Sequence, residues 1–223
     1  MVYVLFIVIA LVSFAVQRTL QSKFERYSKI PIPYGLTGRD IAMRMLQENG
    51  INDVSVTQVD GHLTDHYNPA THTVNLSRDV YYGNSVAAAA VAAHECGHAI
   101  QHATNYVPLN LRSAIVPVAN IGSTLSWPLF LAGLIFSIRP LLTVGIILFT
   151  FAVLFQLVTL PVEFNASSRA LKMLGSSGML GNDEVKGARK VLTAAALTYV
   201  AALASSILQL LRLIILAGGR DRD

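Results

Sequence analysis

The sequence predicts a mainly α-helical membrane protein, with about four transmembrane helices and a small α+β domain between the first and the second. Three observations predict it. Of 223 residues, 53% are hydrophobic and only 13% charged, and the mean hydropathy of +0.51 lies well to the apolar side of an ordinary globular domain. The apolar residues gather in four long runs. Residues 17–113 are the one region polar enough to fold in water, and about a hundred residues suffice for one small core.

The first run, 2–16, reads "VYVLFIVIALVSFAV" and holds no charge. It is about long enough to cross a slightly thinned bilayer. A signal peptide would show a basic leading region and a small-residue cleavage site, and neither is visible, so residues 1–16 are expected to be an uncleaved transmembrane anchor.

The polar domain, 17–113, carries its own punctuation. After "PIPYG", Thr37 caps a helix with Asp40 three residues on. Ile41, Ala42, Met45 and Leu46 form its apolar face before Gly50 ends it. "NDVSVTQV" alternates as a strand does, and "GHLTDHYNPATHTVNLS" reads as two short strands around an Asn68-Pro69-Ala70-Thr71 turn. Period-two spacing puts His62, His66 and His72 on one solvent-facing side. A helix is expected from about Ser85 through Thr104.

Residues 114–162 form two apolar runs separated only by Arg139-Pro140, a tight transmembrane hairpin. A polar helix and loop, 163–190, lead to the last span and short tail, 191–223. There Arg212 can snorkel and "AAALTYVAALASS" favours close helix packing.

Charge orients these elements. Thirteen of the seventeen basic residues fall in 17–113 or 163–190, on one side if there are four spans. The positive-inside rule makes that side the cytoplasm and leaves both termini outside. The formal net charge of +4 then needs no nucleic acid. Anionic lipid suits the "QRTLQSKFERYSK" cluster better, and no glycine-rich phosphate loop or aromatic-interleaved basic segment appears. Cys96 is the only cysteine, which excludes an internal disulfide and a cysteine-rich zinc site.

The chemistry lies in "VAAHECGHAIQHA", residues 91–103. His94 and His98, four apart, stack on one helix face about 6 Å apart along the axis and can share one tetrahedral metal. Glu95 is near that metal but badly placed to ligate it, which suits a base acting on water. The spacing is HExxH, and a chain of this composition produces it by chance roughly 0.004 times. The structural alternative is a histidine pair hydrogen-bonded at a buried helix junction. Gly97 between the two leaves room for close backbone approach. His102 lies about 12 Å beyond His94, too far to share one ion, and reads as a supporting or core residue. Cys96 points away from the metal and reads as small hydrophobic packing.

A catalytic zinc takes three protein ligands, so one more must come from elsewhere. Glu163, in "LPVEFNASSRALKML", ends the third apolar run, where an unpaired carboxylate is costly. The 114–162 hairpin returns it to the face from which the motif helix leaves. Its alternative role is an interfacial salt bridge, for example with Arg169.

These three stretches together resemble the YugP-like neutral zinc metallopeptidases, bacterial membrane proteins of similar length and layout, and through them gluzincin membrane proteases of the HtpX type. The resemblance covers nearly the whole chain. It implies a zincin-like domain in 17–113, Zn2+ held by His94, His98 and Glu163, and Glu95 as general base. Ser167 stands where the broader group has an aspartate orienting a ligand histidine, and Asn165 where nearer relatives have an acidic residue. The implied function is a multi-pass zinc endopeptidase of the bacterial cell membrane, its active site facing the cytoplasm, acting on polypeptides or membrane proteins near the bilayer. Gluzincin-like proteases usually hold substrate as an added strand at a sheet edge. His66, Tyr67, Tyr106 and Arg169 are candidates to stabilise an oxyanion. An intramembrane protease would need the motif inside a span, and a zinc transporter would need ionisable residues in several spans, which these runs lack. The alternative that remains is a non-catalytic zinc-binding membrane scaffold.

Overall fold

The structure, a computed structural model, describes the backbone of residues 2–218 and the side chains from Ile7 onward; the leading side chains of the expected anchor and the tail 219–223 lie outside the described residues. Seven helices and one three-stranded sheet follow in the order α1 (Val2–Tyr27), α2 (Gly38–Glu48), β1 (Ser55–Val59), β2 (His66–Asn68), β3 (Thr73–Ser77), α3 (Arg78–Tyr81), α4 (Val86–Ala103), α5 (Val107–Ile135), α6 (Arg139–Ser176) and α7 (Asn182–Gly218).

Local chemistry sets the ends of the small-domain elements. Thr37 Oγ1 accepts the Asp40 N–H at 3.2 Å, and Asp40 Oδ2 accepts the Thr37 N–H at 2.9 Å, a reciprocal capping box at the start of α2. Gly50, at φ +69°, follows the end of that helix. Ser85 Oγ caps α4 by accepting the Ala88 N–H at 3.3 Å. The sheet order is β1-β3-β2, with β1 parallel and β2 antiparallel to β3, so the expected turn at Asn68–Thr71 joins neighbouring strands and β2 is an edge. The three histidines do not share one strand face. His62 precedes β2 beside Asp79, and His72 sits in the turn at φ +50° with its Nδ1 2.8 Å from Asp53. The alternation ends where the hairpin turns, so the period-two count does not carry through it.

Among the described residues, three helices are long and apolar enough to cross a membrane: α5, α6 and α7. Each is longer than the apolar run that predicts it. At 1.5 Å per residue, α6 measures about 57 Å and α7 about 56 Å, against about 30 Å of bilayer hydrocarbon. The excess length joins the small domain. Glu163 therefore sits inside α6, and α6 continues without a break for thirteen residues beyond it. α1 likewise runs past its apolar segment. Its end buries Phe24 and Tyr27 in the small-domain core, while Ser13 Oγ lies 3.3 Å from Ser205 Oγ of α7.

The centre of the larger hydrophobic core, which takes in residues from α1 to α7, is α4, of whose 18 residues 14 are buried. Its alanines keep the helix thin, so α2, α6, α7 and the sheet pack close around it. The tightest approach is to α6. A Cβ on Gly97 would lie 2.6 Å from the Ala166 carbonyl oxygen, inside van der Waals contact with an atom that belongs to the helix backbone.

Gly97→Ala must therefore push α6 away from α4. It is expected to cost about 1–3 kcal/mol, read as a lower melting temperature in detergent. Gly175→Ala, also in α6 but with nothing near its added methyl, is expected to be neutral or stabilising.

Candidate metal centre

The α4–α6 crossing sets two histidines against one carboxylate. His94 and His98 project from the same face of α4 with ring centroids 4.8 Å apart, and Glu163 reaches them from α6. Glu163 Oε2 lies 3.2 Å from His94 Nε2 and 3.6 Å from His98 Nε2, and the three donor atoms all fall within 4.8 Å of one another. A tetrahedral zinc with bonds of about 2.0–2.1 Å separates its ligand atoms by roughly 3.3 Å. Both imidazole–carboxylate spacings match that edge, so the residues fit a metal ion of the nitrogen- and oxygen-loving kind. Glu163 is only 3% exposed. Its second oxygen, Oε1, lies 3.6 Å from Arg112 of α5, whereas Arg169 Nε donates to Asn165 Oδ1 at 2.8 Å.

The remote ring nitrogens are also held. His94 Nδ1 lies 3.1 Å from Ser167 Oγ, one turn beyond Glu163 on α6. His98 Nδ1 lies 3.0 Å from Gln101 Oε1. Gln101 is fully buried, and its amide nitrogen donates to the Val162 carbonyl at 2.8 Å and to Asn165 Oδ1 at 3.0 Å. The Val162 carbonyl can only accept, so the NH2 end of the amide must face it and the oxygen must face His98. His98 thus carries a proton on Nδ1, which leaves Nε2, the nitrogen that faces Glu163, as its donor to a metal.

Glu95 lies outside the donor set. It is 8% exposed, and its Oε2 accepts the Tyr67 backbone N–H of the edge strand β2 at 2.9 Å. Asp65, just before β2, accepts from the Ser77 N–H at 2.7 Å. Burial, with Glu95 nearby, pushes the Asp65 carboxyl above its ordinary pKa despite the opposing pull of those Ser77 bonds.

A cavity of about 630 Å³ opens over His94, Glu95, His98 and Glu163. His66 and Tyr67 line it from β2, Arg112 from α5, and Tyr199 from α7. His102 also lines it, but as a partner of the Tyr67 hydroxyl at 2.8 Å and of the His72 ring. Tyr106 and Arg169 do not line it; they stack together on the far side of Asn165. Cys96 faces the opposite side of α4, its Sγ 3.6 Å from the Ala42 carbonyl, and burial drives its thiol pKa well above the ordinary value.

Sequence reasoning did not assign Gln101, Tyr199 or Arg112 to the site. Gln101 carried a signal, since it follows His98 by three residues on the same helix. Tyr199 carried none, because its direction depends on how α7 is rotated.

The family model described as "Putative neutral zinc metallopeptidase" matches residues 2–218. The chain belongs to this family. Among curated proteins, this metallopeptidase-family chain is 50% identical over 212 residues to "Putative membrane protease YugP" of Bacillus subtilis (strain 168), a match that covers 95% of the chain and 94% of that relative. No solved structure matches the chain.

If Gln101 fixes the His98 tautomer, Gln101→Leu is expected to weaken zinc binding about 10–100-fold, measured by competition with a chromogenic chelator. Cys96→Ala, on the other face of the same helix, should leave that affinity unchanged.

Proposed function

We propose that this protein is a membrane-integral zinc endopeptidase of the gluzincin type, with His94, His98 and Glu163 as ligands and Glu95 as general base. The observation that carries the reading is the placement of Glu95. A zinc scaffold needs only the three donors, but here a second carboxylate stands beside them. A backbone N–H keeps it out of the donor set, and it lines the cavity that opens over them.

Bound zinc supplies Lewis acidity, which brings a water's pKa to about 7 and polarises a carbonyl. The chain's own residues do the rest. The Tyr67 N–H holds one Glu95 oxygen, and the other is left to take a proton from the attacking water and deliver it to the leaving amine. Ser167 and Gln101 fix the two imidazoles, so the donors need not reorganise when substrate arrives. Tyr199 lines both cavities at the donors, and its hydroxyl would donate to a developing oxyanion. The edge strand β2 lies along the cavity and supports an extended polypeptide as substrate.

The same proposal gives the chain four spans. α1 would be the fourth, since it lies beside α7 and points Ile7, Leu11 and Phe14 outward. Residues 17–113 then form the zincin-like domain on the cytoplasmic face of a bacterial cell membrane, where Arg18, Lys23, Arg26 and Lys29 meet anionic headgroups. Substrates would be polypeptides or membrane proteins near the bilayer.

The first test is proteolysis of an unfolded polypeptide by purified protein in detergent at matched zinc content. Wild type should cut, and Glu95→Gln should keep its zinc and lose turnover. If neither cuts while both hold zinc, the protein is a scaffold. Tyr199→Phe is expected to lower kcat about 10²–10³-fold with zinc content unchanged; an unchanged kcat would remove Tyr199 from the mechanism.

A further inference from the structure

Besides the large cavity, a second one of about 150 Å³ also touches His94, Glu95 and Glu163. Its lining is mainly apolar: Leu20 and Phe24 of α1, Leu63, Val91 of α4, and Leu192 and Ala195 of α7, with Asp65, Ser167 and Tyr199 as its other polar groups. A chain lying over the donors would therefore have a mainly apolar recess beside it.

We propose that the smaller cavity is the specificity pocket of the enzyme, taking one apolar side chain from a residue flanking the scissile bond. The proposal rests on the peptidase reading above and adds the substrate class to it. Volume sets the upper limit. An apolar cavity of about 150 Å³ holds a benzene-sized molecule, so leucine, methionine or phenylalanine fits and tryptophan does not. Chemistry sets the rest, because an aspartate here would lose its water among Leu20, Phe24 and Leu192 and meet the like charges of Asp65, Glu95 and Glu163. Glycine and alanine would leave the recess empty and forgo that burial. Two walls come from α1 and α7, so the pocket depends on helix pairing outside the motif helix.

The test pairs turnover with binding. Zinc-loaded protein is given peptides that differ only at the residues flanking one bond, each set to Gly, Leu, Phe, Trp or Asp, with products read by mass spectrometry. In parallel, the affinities of leucine and glycine hydroxamates are measured by calorimetry. Leu and Phe should exceed Gly and Asp by about 10–100-fold in kcat/KM, and leucine hydroxamate should bind correspondingly tighter than glycine hydroxamate. Ala195→Phe, which fills the recess, should abolish that preference while glycine hydroxamate still binds and zinc content is unchanged. Val91→Ala, which enlarges it, should raise turnover of the Trp peptide. Equal affinity for the two hydroxamates, or a preference that Ala195→Phe does not move, overturns the pocket and leaves a lipid tail as its occupant. Hydroxamates that discriminate while no peptide is cut keep the pocket and sink the peptidase.

Discussion

The site depends on one contact, the crossing of α4 and α6 where Gly97 meets the backbone of Ala166. Every donor is placed relative to that point. His94 and His98 lie on either side of Gly97 along α4. Glu163 and Ser167 lie on either side of Ala166 along α6, so closing the crossing brings both pairs together at once. A larger residue at the crossing would separate the carboxylate from the imidazoles without altering any donor. The alanines before His94 serve the same end, because small side chains let α4 be surrounded while its polar face still meets the cavity.

The crossing also explains how so many polar groups are tolerated where an apolar span ends. Glu163, His98 and Gln101 are buried, and each would be costly alone. Together they satisfy one another: the glutamine amide uses its oxygen for His98 and its nitrogen for Val162 and Asn165, and Arg112 faces the remaining carboxylate oxygen. The network is nearly complete before a metal enters it. The carboxylate faces two imidazole nitrogens that a cation would draw to itself, and that leaves the cluster poised for one.

Much of this was legible in the chain. The caps of α2 and α4 follow from Thr37, Asp40 and Ser85, the hairpin from Asn68-Pro69, and the packing role of Cys96 from its place on the face opposite the histidines. Glu163 stood out because a carboxylate ending an apolar run is expensive. What the chain did not show depends on rotation and length. Hydropathy marks where apolar side chains stop, not where the helix does, so α6 and α7 outrun their spans. The direction of Tyr199 depends on how α7 turns against α1 and α6. The polar residue needed to hold Nδ1 of His98 could have come from any neighbouring element, and only the fold selects Gln101. The histidines near the hairpin misled for a related reason, since a count of two holds only while the strand stays straight.

One rod carries both the apolar run and the carboxylate. α6 is continuous from Arg139 through Glu163 to Ser176, so about 33 Å of helix between residues 141 and 162 stands directly beneath the donor. In a bilayer that length is close to the hydrocarbon thickness itself. On the peptidase reading, the chemistry would then be held at a fixed height above the lipid, and the molecule would work as a depth gauge: which bond of a membrane-tethered chain came within reach would be set as much by its distance from the bilayer as by the residues around it.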